Sequence, residues 1–168
     1  MPSTSLTIAV STLLALSVGG AVIGTVSRES IAVADRPTLH AIAPESQAIN
    51  KYVEVCQACH QATGLGLPGA FPPLAGSEWL TGRADIPIAI ALKGLQGEIT
   101  VKGVKYNGAM MAWENVLNDA DLAATLTYAR SQWGNRATPV TAAQVRAVRT
   151  RFAGRTAPWT AAELTALK

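Results

Sequence analysis

Cys56-Gln57-Ala58-Cys59-His60 is the stretch on which the reading of this 168-residue chain turns. Two thiols three positions apart occupy one helical turn, and an imidazole follows at once. This is the spacing by which a c-type haem is attached. Each thiol adds across one vinyl group of the porphyrin, so the two thioethers straddle the ring edge, and the imidazole reaches the iron from the same side. Cys56 and Cys59 are therefore the expected covalent anchors of one haem c, and His60 is its expected proximal iron ligand. Other uses of the motif fit less well. A thioredoxin-like pair needs a βαβ setting, whereas helix and glycine-rich loop flank this one. A zinc site needs four ligands, and the second histidine of the chain, His40, stands in a polar segment that reads as solvated. A disulfide between the two cysteines leaves His60 without a role.

Outward from the motif the pattern is helical. Ile49, Tyr52, Val53 and Cys56 recur at i, i+3, i+4 and i+7, the spacing of an apolar helix stripe, with Pro44 suited to the first turn. Residues 62–77 hold Gly64, Gly66, Pro68, Gly69, Pro72, Pro73 and Gly76, a density that makes a long loop. A second helix is expected over about 84–94, from Asp85 and Pro87 to Gly94. Ile99 to Val101 and Val104 to Tyr106 flank Lys102-Gly103 as a small hairpin. Asn118 with Asp121 reads as a helix start, with Leu122, Leu126, Ala129 and Trp133 as its stripe and Gly134-Asn135 as its stop. Thr141 with Gln144 and Thr160 with Glu163 are capping boxes opening two more helices, the first lined by Val145, Val148 and Phe152.

A sixth iron ligand has to come from elsewhere in the chain. Methionine is the usual partner of histidine in cytochromes, and beyond Met1 the candidates are the adjacent Met110 and Met111. They are expected on a loop between helices, from which one can swing over a haem face.

The N-terminus carries a separate signal. No Lys, Arg, Asp or Glu precedes Arg28, and residues 6–26 are apolar or small throughout. About 20 such residues span a bilayer, more than the roughly 7–15 of a signal peptide's apolar region, which favours a retained anchor. Ala32-Val33-Ala34, just before Asp35, is an A-x-A cleavage site and keeps the cleaved alternative open. Residues 1–26 are thus read as anchor or signal, 27–44 as a tether, 45–135 as the haem domain and 136–168 as a basic helical extension. Charge is also uneven along the chain. Residues 1–127 carry seven Lys/Arg against ten Asp/Glu, a net of −3, whereas 128–168 carry seven against one, a net of +6. The overall +3 is too small to imply nucleic acid, and none is expected.

Together, Cys-Gln-Ala-Cys-His, the following Gly-Leu-Pro-Gly-Ala-Phe-Pro-Pro-Leu-Ala-Gly, Tyr-Asn-Gly-Ala-Met and the helix from Leu117 to Asn135 resemble the class I cytochromes c over about residues 46–135. The resemblance implies an all-α fold wrapped round the haem, with an N-terminal helix near 45–60 crossing a C-terminal one near 119–133. It implies a carbonyl within Phe71-Pro72-Pro73 that accepts the His60 Nδ1 proton. In such proteins the ligand methionine is commonly followed by proline. Met110 falls on the ligand and Met111 on the proline, a departure that leaves Met111 as the alternative ligand. Tyr106, Arg83 and Trp113 are candidate contacts to the haem edge or propionates, with ordinary packing as the competing reading. The tail resembles extensions of bacterial cytochromes that accompany periplasmic oxidoreductases. Its Arg146, Arg149, Arg151 and Arg155 would then face an acidic partner or form a solvated helix face.

The function expected is one-electron transfer, without enzymatic activity, on the periplasmic side of a bacterial cytoplasmic membrane. The donor would be a dehydrogenase or respiratory complex and the acceptor an oxidase or reductase. A haem subunit of a dehydrogenase or reductase complex, and a five-coordinate haem enzyme or gas sensor, are the alternatives.

Overall fold

A computed structural model describes residues 43–167. The apolar segment 6–26, the Ala34 cleavage site, His40 and nearly all of the tether lie outside the described residues. Helices α1 (Ala43–Val55), α2 (Gln57–His60), α3 (Glu78–Thr81) and α4 (Asp85–Lys93) lead into strands β1 (Leu95–Val101) and β2 (Val104–Met110). Helices α5 (Asp119–Ser131), α6 (Ala142–Arg151) and α7 (Ala161–Thr165) complete the chain. No helix among the described residues is long and apolar enough to cross a membrane.

The helix signals hold where a polar side chain satisfies free backbone N–H groups. The Asn118 side chain accepts from Asp121 N–H at the start of α5, and both Thr141 and Thr160 form complete capping boxes. Gly94, at φ 79, ends α4 as expected. Helix α5 stops at Ser131, because Trp133 and Gly134 both take positive φ.

The stripe on α1 is corrected. Ala48, Tyr52 and Val55 are buried, whereas Ile49 and Val53 face solvent. The buried set follows i, i+4, i+7 and packs against α5. There Tyr52 meets Tyr128 and Trp133 at ring separations of 5.4 and 5.2 Å. Such aromatic pairs each add about 0.5–1.5 kcal/mol beyond burial. Below this contact Ile88 and Leu92 of α4 are fully buried, worth roughly 1.5–3 kcal/mol each in transfer terms.

The hairpin is longer than the sequence suggests, with seven residues in each strand, running antiparallel from Val101 opposite Val104 to Leu95 opposite Met110. Gly97 and Gly108 pair inside it, and glycines masked these positions as strand, since they are poor strand formers.

The extension joins the same core. Val140, Val145, Val148, Trp159 and Leu164 are buried with the residues of α4, α5 and the hairpin. Its arginines mostly bind the chain itself, contrary to a free basic face. Arg149 donates to Asp119 and to the carbonyls of Glu114 and Leu117. Arg155 donates to Pro158 O and Glu163 and lies 3.7 Å over the Trp159 ring. Arg151 stacks over Phe152 at 5.0 Å. Arg146 reaches Asp119 while its side chain remains mostly in solvent.

Candidate haem site

The motif spans a break between two helices. Helix α1 ends at Val55, and Cys56 starts the short turn whose last residue is His60. Cys56 N–H donates to Tyr52 O, and the Cys56 carbonyl accepts from Cys59 N–H and His60 N–H at 3.2 and 2.9 Å. One tight turn thus fixes all three side chains. Both cysteines are free thiols, Cys56 partly buried and Cys59 exposed. Burial, with Cys59 nearby, pushes the Cys56 thiol up to about 12.

His60 is buried, and its Nδ1 lies 3.0 Å from the Pro72 carbonyl. Burial lowers its pKa, partly offset by that hydrogen bond. A neutral ring donating from Nδ1 leaves Nε2 as the basic atom, the arrangement of a ligating histidine. The loop 61–77 is built to deliver the Pro72 carbonyl. Gly66 N–H donates to His60 O, and Leu67 N–H donates to Phe71 O. Gly66 sits at φ 66, and a Cβ there would come within 2.3 Å of Phe71 O and 2.6 Å of Pro72 O. Only glycine lets the backbone pass so close. Asn135 ties the far end of the loop to α5, accepting from Gly76 N–H and donating to Leu74 O and Ala129 O.

Around the motif lie two adjoining cavities of about 100 and 600 Å³, the outer one in the size range of cofactor sites, roughly 300–1,000 Å³. Cys56, His60, Pro72 and Met110 line both. No Asp, Glu, Lys or Arg lines the inner cavity, and Glu54 is the one charged residue lining the outer. An apolar slot with two thiols and an imidazole at one edge and a thioether in its wall suits a porphyrin. A zinc site is unsupported, for no group of three His, Cys, Asp or Glu clusters among the described residues.

Met110 ends β2 and is partly buried, so it stands on a strand terminus and not on the expected loop. Met111 is 66% exposed and lines the outer cavity alone. Tyr106 lines the outer cavity and Trp113 both. Arg83 is absent from both linings, being held by Asp85 and by the Leu167 carbonyl. Sequence reasoning missed Leu95 and Ile99 of the hairpin wall, and Pro158, which reaches the outer cavity from the extension. Ile99 carries a β-branched strand signal, whereas nothing local to Leu95 or Pro158 points to the cleft.

Fold and cleft together define a small haem-binding electron carrier. The family model for cytochrome c matches residues 47–133, and the chain belongs to the cytochrome c family. It is 44% identical over 103 residues to cytochrome c-552 of Thermus thermophilus, covering 56% of this chain and 78% of that protein. It is also 31% identical over 102 residues to the cytochrome c subunit of a quinone alcohol dehydrogenase from Gluconobacter oxydans, and 36% over 106 residues to that of a gluconate 2-dehydrogenase from Pantoea cypripedii. These matches cover 59% and 58% of the chain, but only 21% and 23% of the two subunits. The chain is therefore an electron-transfer protein and not an enzyme, with haem c as its cofactor. Cytochromes c are typically extracytoplasmic.

Proposed function

We propose that the chain shuttles single electrons on a six-coordinate haem c, with Cys56 and Cys59 as thioether anchors, His60 as proximal ligand and Met110 as distal ligand. The observation that carries this reading is the shared lining of one nearly charge-free cleft by Cys56, His60 and Met110, with the His60 ring oriented by Pro72 O. Bound there, the haem supplies one-electron chemistry between ferrous and ferric iron. The protein's part is to hold that centre still. Pro72 O fixes the tautomer and basicity of His60. The apolar walls exclude water and disfavour the extra positive charge of the oxidised state, which together with a thioether ligand raises the potential.

Residues 45–135 make up the haem domain in this reading and 136–168 its extension. The protein works on the periplasmic side of the cytoplasmic membrane of a bacterium, held there by residues 6–26. Its donor is a dehydrogenase or respiratory complex and its acceptor an oxidase or reductase. Two similar proteins are cytochrome subunits of dehydrogenases, which supports a second reading, service inside such a complex.

Optical spectra of purified holoprotein test the ligation. Ferric His/Met haem shows a weak absorption band at the red end of the visible range. Its presence supports the reading, and a five-coordinate spectrum contradicts it. Intact mass and the detergent requirement of the same preparation test the anchor, since a chain beginning at Asp35 refutes it.

A further inference from the structure

The strand that pairs with the one ending in Met110 is gripped from outside the family-matched segment. Trp159 N–H donates to Gly94 O at 3.0 Å, and Gln96 N–H donates to Trp159 O at 2.8 Å. Leu95, between those two positions, pairs in parallel with Trp159 on one side and antiparallel with Met110 on the other. Trp159 thus adds a one-residue bridge to the free edge of β1. A two-stranded hairpin alone is marginal in water, and a third partner makes it stable. The indole is 4% exposed and donates from Nε1 to Ala89 O at 3.1 Å. Its ring packs edge-on to Phe152 at 4.8 Å and lies under the Arg155 guanidinium. Gly94, at φ 79, is pressed so closely on β2 that a Cβ would fall 2.5 Å from Met110 O. The peptide that Trp159 clasps therefore rests directly on the backbone of Met110.

We infer that Trp159 is a positioning residue for the axial ligand, latching the Gly94–Gln96 segment so that Met110 is held toward the iron. This inference rests on the proposed ligation by Met110. It accounts for the residue that follows Met110. Met111 stands where cytochromes of this class commonly carry proline, so the backbone there lacks a proline's fixed φ. The constraint comes instead from a distant segment, and Pro158 brings that segment to the cavity Met110 lines.

The test is stopped-flow binding of imidazole to the ferric holoprotein, read beside the red-end band, well below the melting temperature. Imidazole must wait for the methionine to leave, so its rate reports that opening. Trp159→Ala removes the buried ring that seats the clasp and should bind imidazole on the order of tenfold faster. Trp159→Phe gives up the bond to Ala89 O but keeps an aromatic ring against Phe152 and the backbone clasp, and should stay near the parent rate. A parental rate in Trp159→Ala, with only a lower melting temperature, overturns the inference. Amide exchange in the unmodified holoprotein gives a second measurement, independent of whether the alanine variant folds. Coupling is reciprocal, so imidazole saturation should speed exchange at the Gln96 amide, and unchanged exchange there also overturns it. Met110→Ala separates the two ideas. If that variant keeps the band, the ligation reading fails. If it loses the band while Trp159→Ala matches the parent, only the latch fails.

Discussion

The two faces of the cleft are built in opposite ways. On the histidine side the groups that set the ligand are close in sequence, and Asn135 is a distant tie that holds only the far end of the loop. Cys56, Cys59 and His60 share one turn, and the carbonyl that orients His60 comes from Pro72, twelve residues on, at the end of a loop shaped by Gly66. On the methionine side the supports are distant. Met110 pairs with Leu95, and that strand is held in turn by Trp159. Local construction is over-determined by short loops with little closure entropy, whereas a face assembled from residues far apart depends on the whole fold. The histidine side should therefore fail all at once, and the methionine side by degrees.

The largest effect is expected from Cys56→Ser with Cys59→Ser. With neither thioether available, no haem-stained band should survive denaturing electrophoresis, and a persistent covalent band would remove the anchors from the account. Gly66→Ala comes next. It forces a side chain into positive φ against two carbonyls, costing roughly 2–5 kcal/mol in strain and overpacking. A chemical denaturation curve of the holoprotein measures this directly, and a parental midpoint would contradict the tight approach to Pro72.

Acid should loosen the methionine side first. Arg155, then the backbone N–H and hydroxyl of Thr160, hold the Glu163 carboxyl at about 2, below its ordinary 4.5. A carboxyl depressed in the folded state stabilises it fully above the unfolded value, and that contribution fades as pH falls through the folded one. The order around Trp159 should thus weaken between about pH 4.5 and 2, and Glu163→Gln should flatten that dependence. Thermal melting midpoints of the holoprotein across this range are the readout, and an identical pH profile in both proteins would refute the link. The smallest effect is expected at the cap of α6. Thr141→Ala should cost about 1 kcal/mol and leave the haem spectrum unchanged, because α6 touches neither cavity.

The same contrast explains what could be read in advance. The attachment motif, Gly94 and the three caps at Asn118, Thr141 and Thr160 follow from short-range chemistry and are legible, whereas the carbonyl that accepts from His60 is placed within Phe71-Pro72-Pro73 only by the family resemblance. The α1 stripe was misread because Ile49 and Val53 look as apolar as the buried Ala48, and only the position of α5 decides which face is covered. The end of the strand that carries Met110 reads as loop because Asn107 and Gly108 oppose strand propensity, and tertiary pairing overrides them. The basic tail reads as a solvated helix face or a surface for an acidic partner, since no local pattern connects Arg149 with Asp119 or Trp159 with Gly94.

The central claim is that His60 and Met110 ligate one haem from opposite sides. Its most direct test is the red-end band of the ferric protein in two single variants. Met110→Ala should abolish the band and lower the reduction potential, since a thioether favours reduced iron, while Met111→Ala should keep both. Loss of the band in Met111→Ala with retention in Met110→Ala would contradict the account.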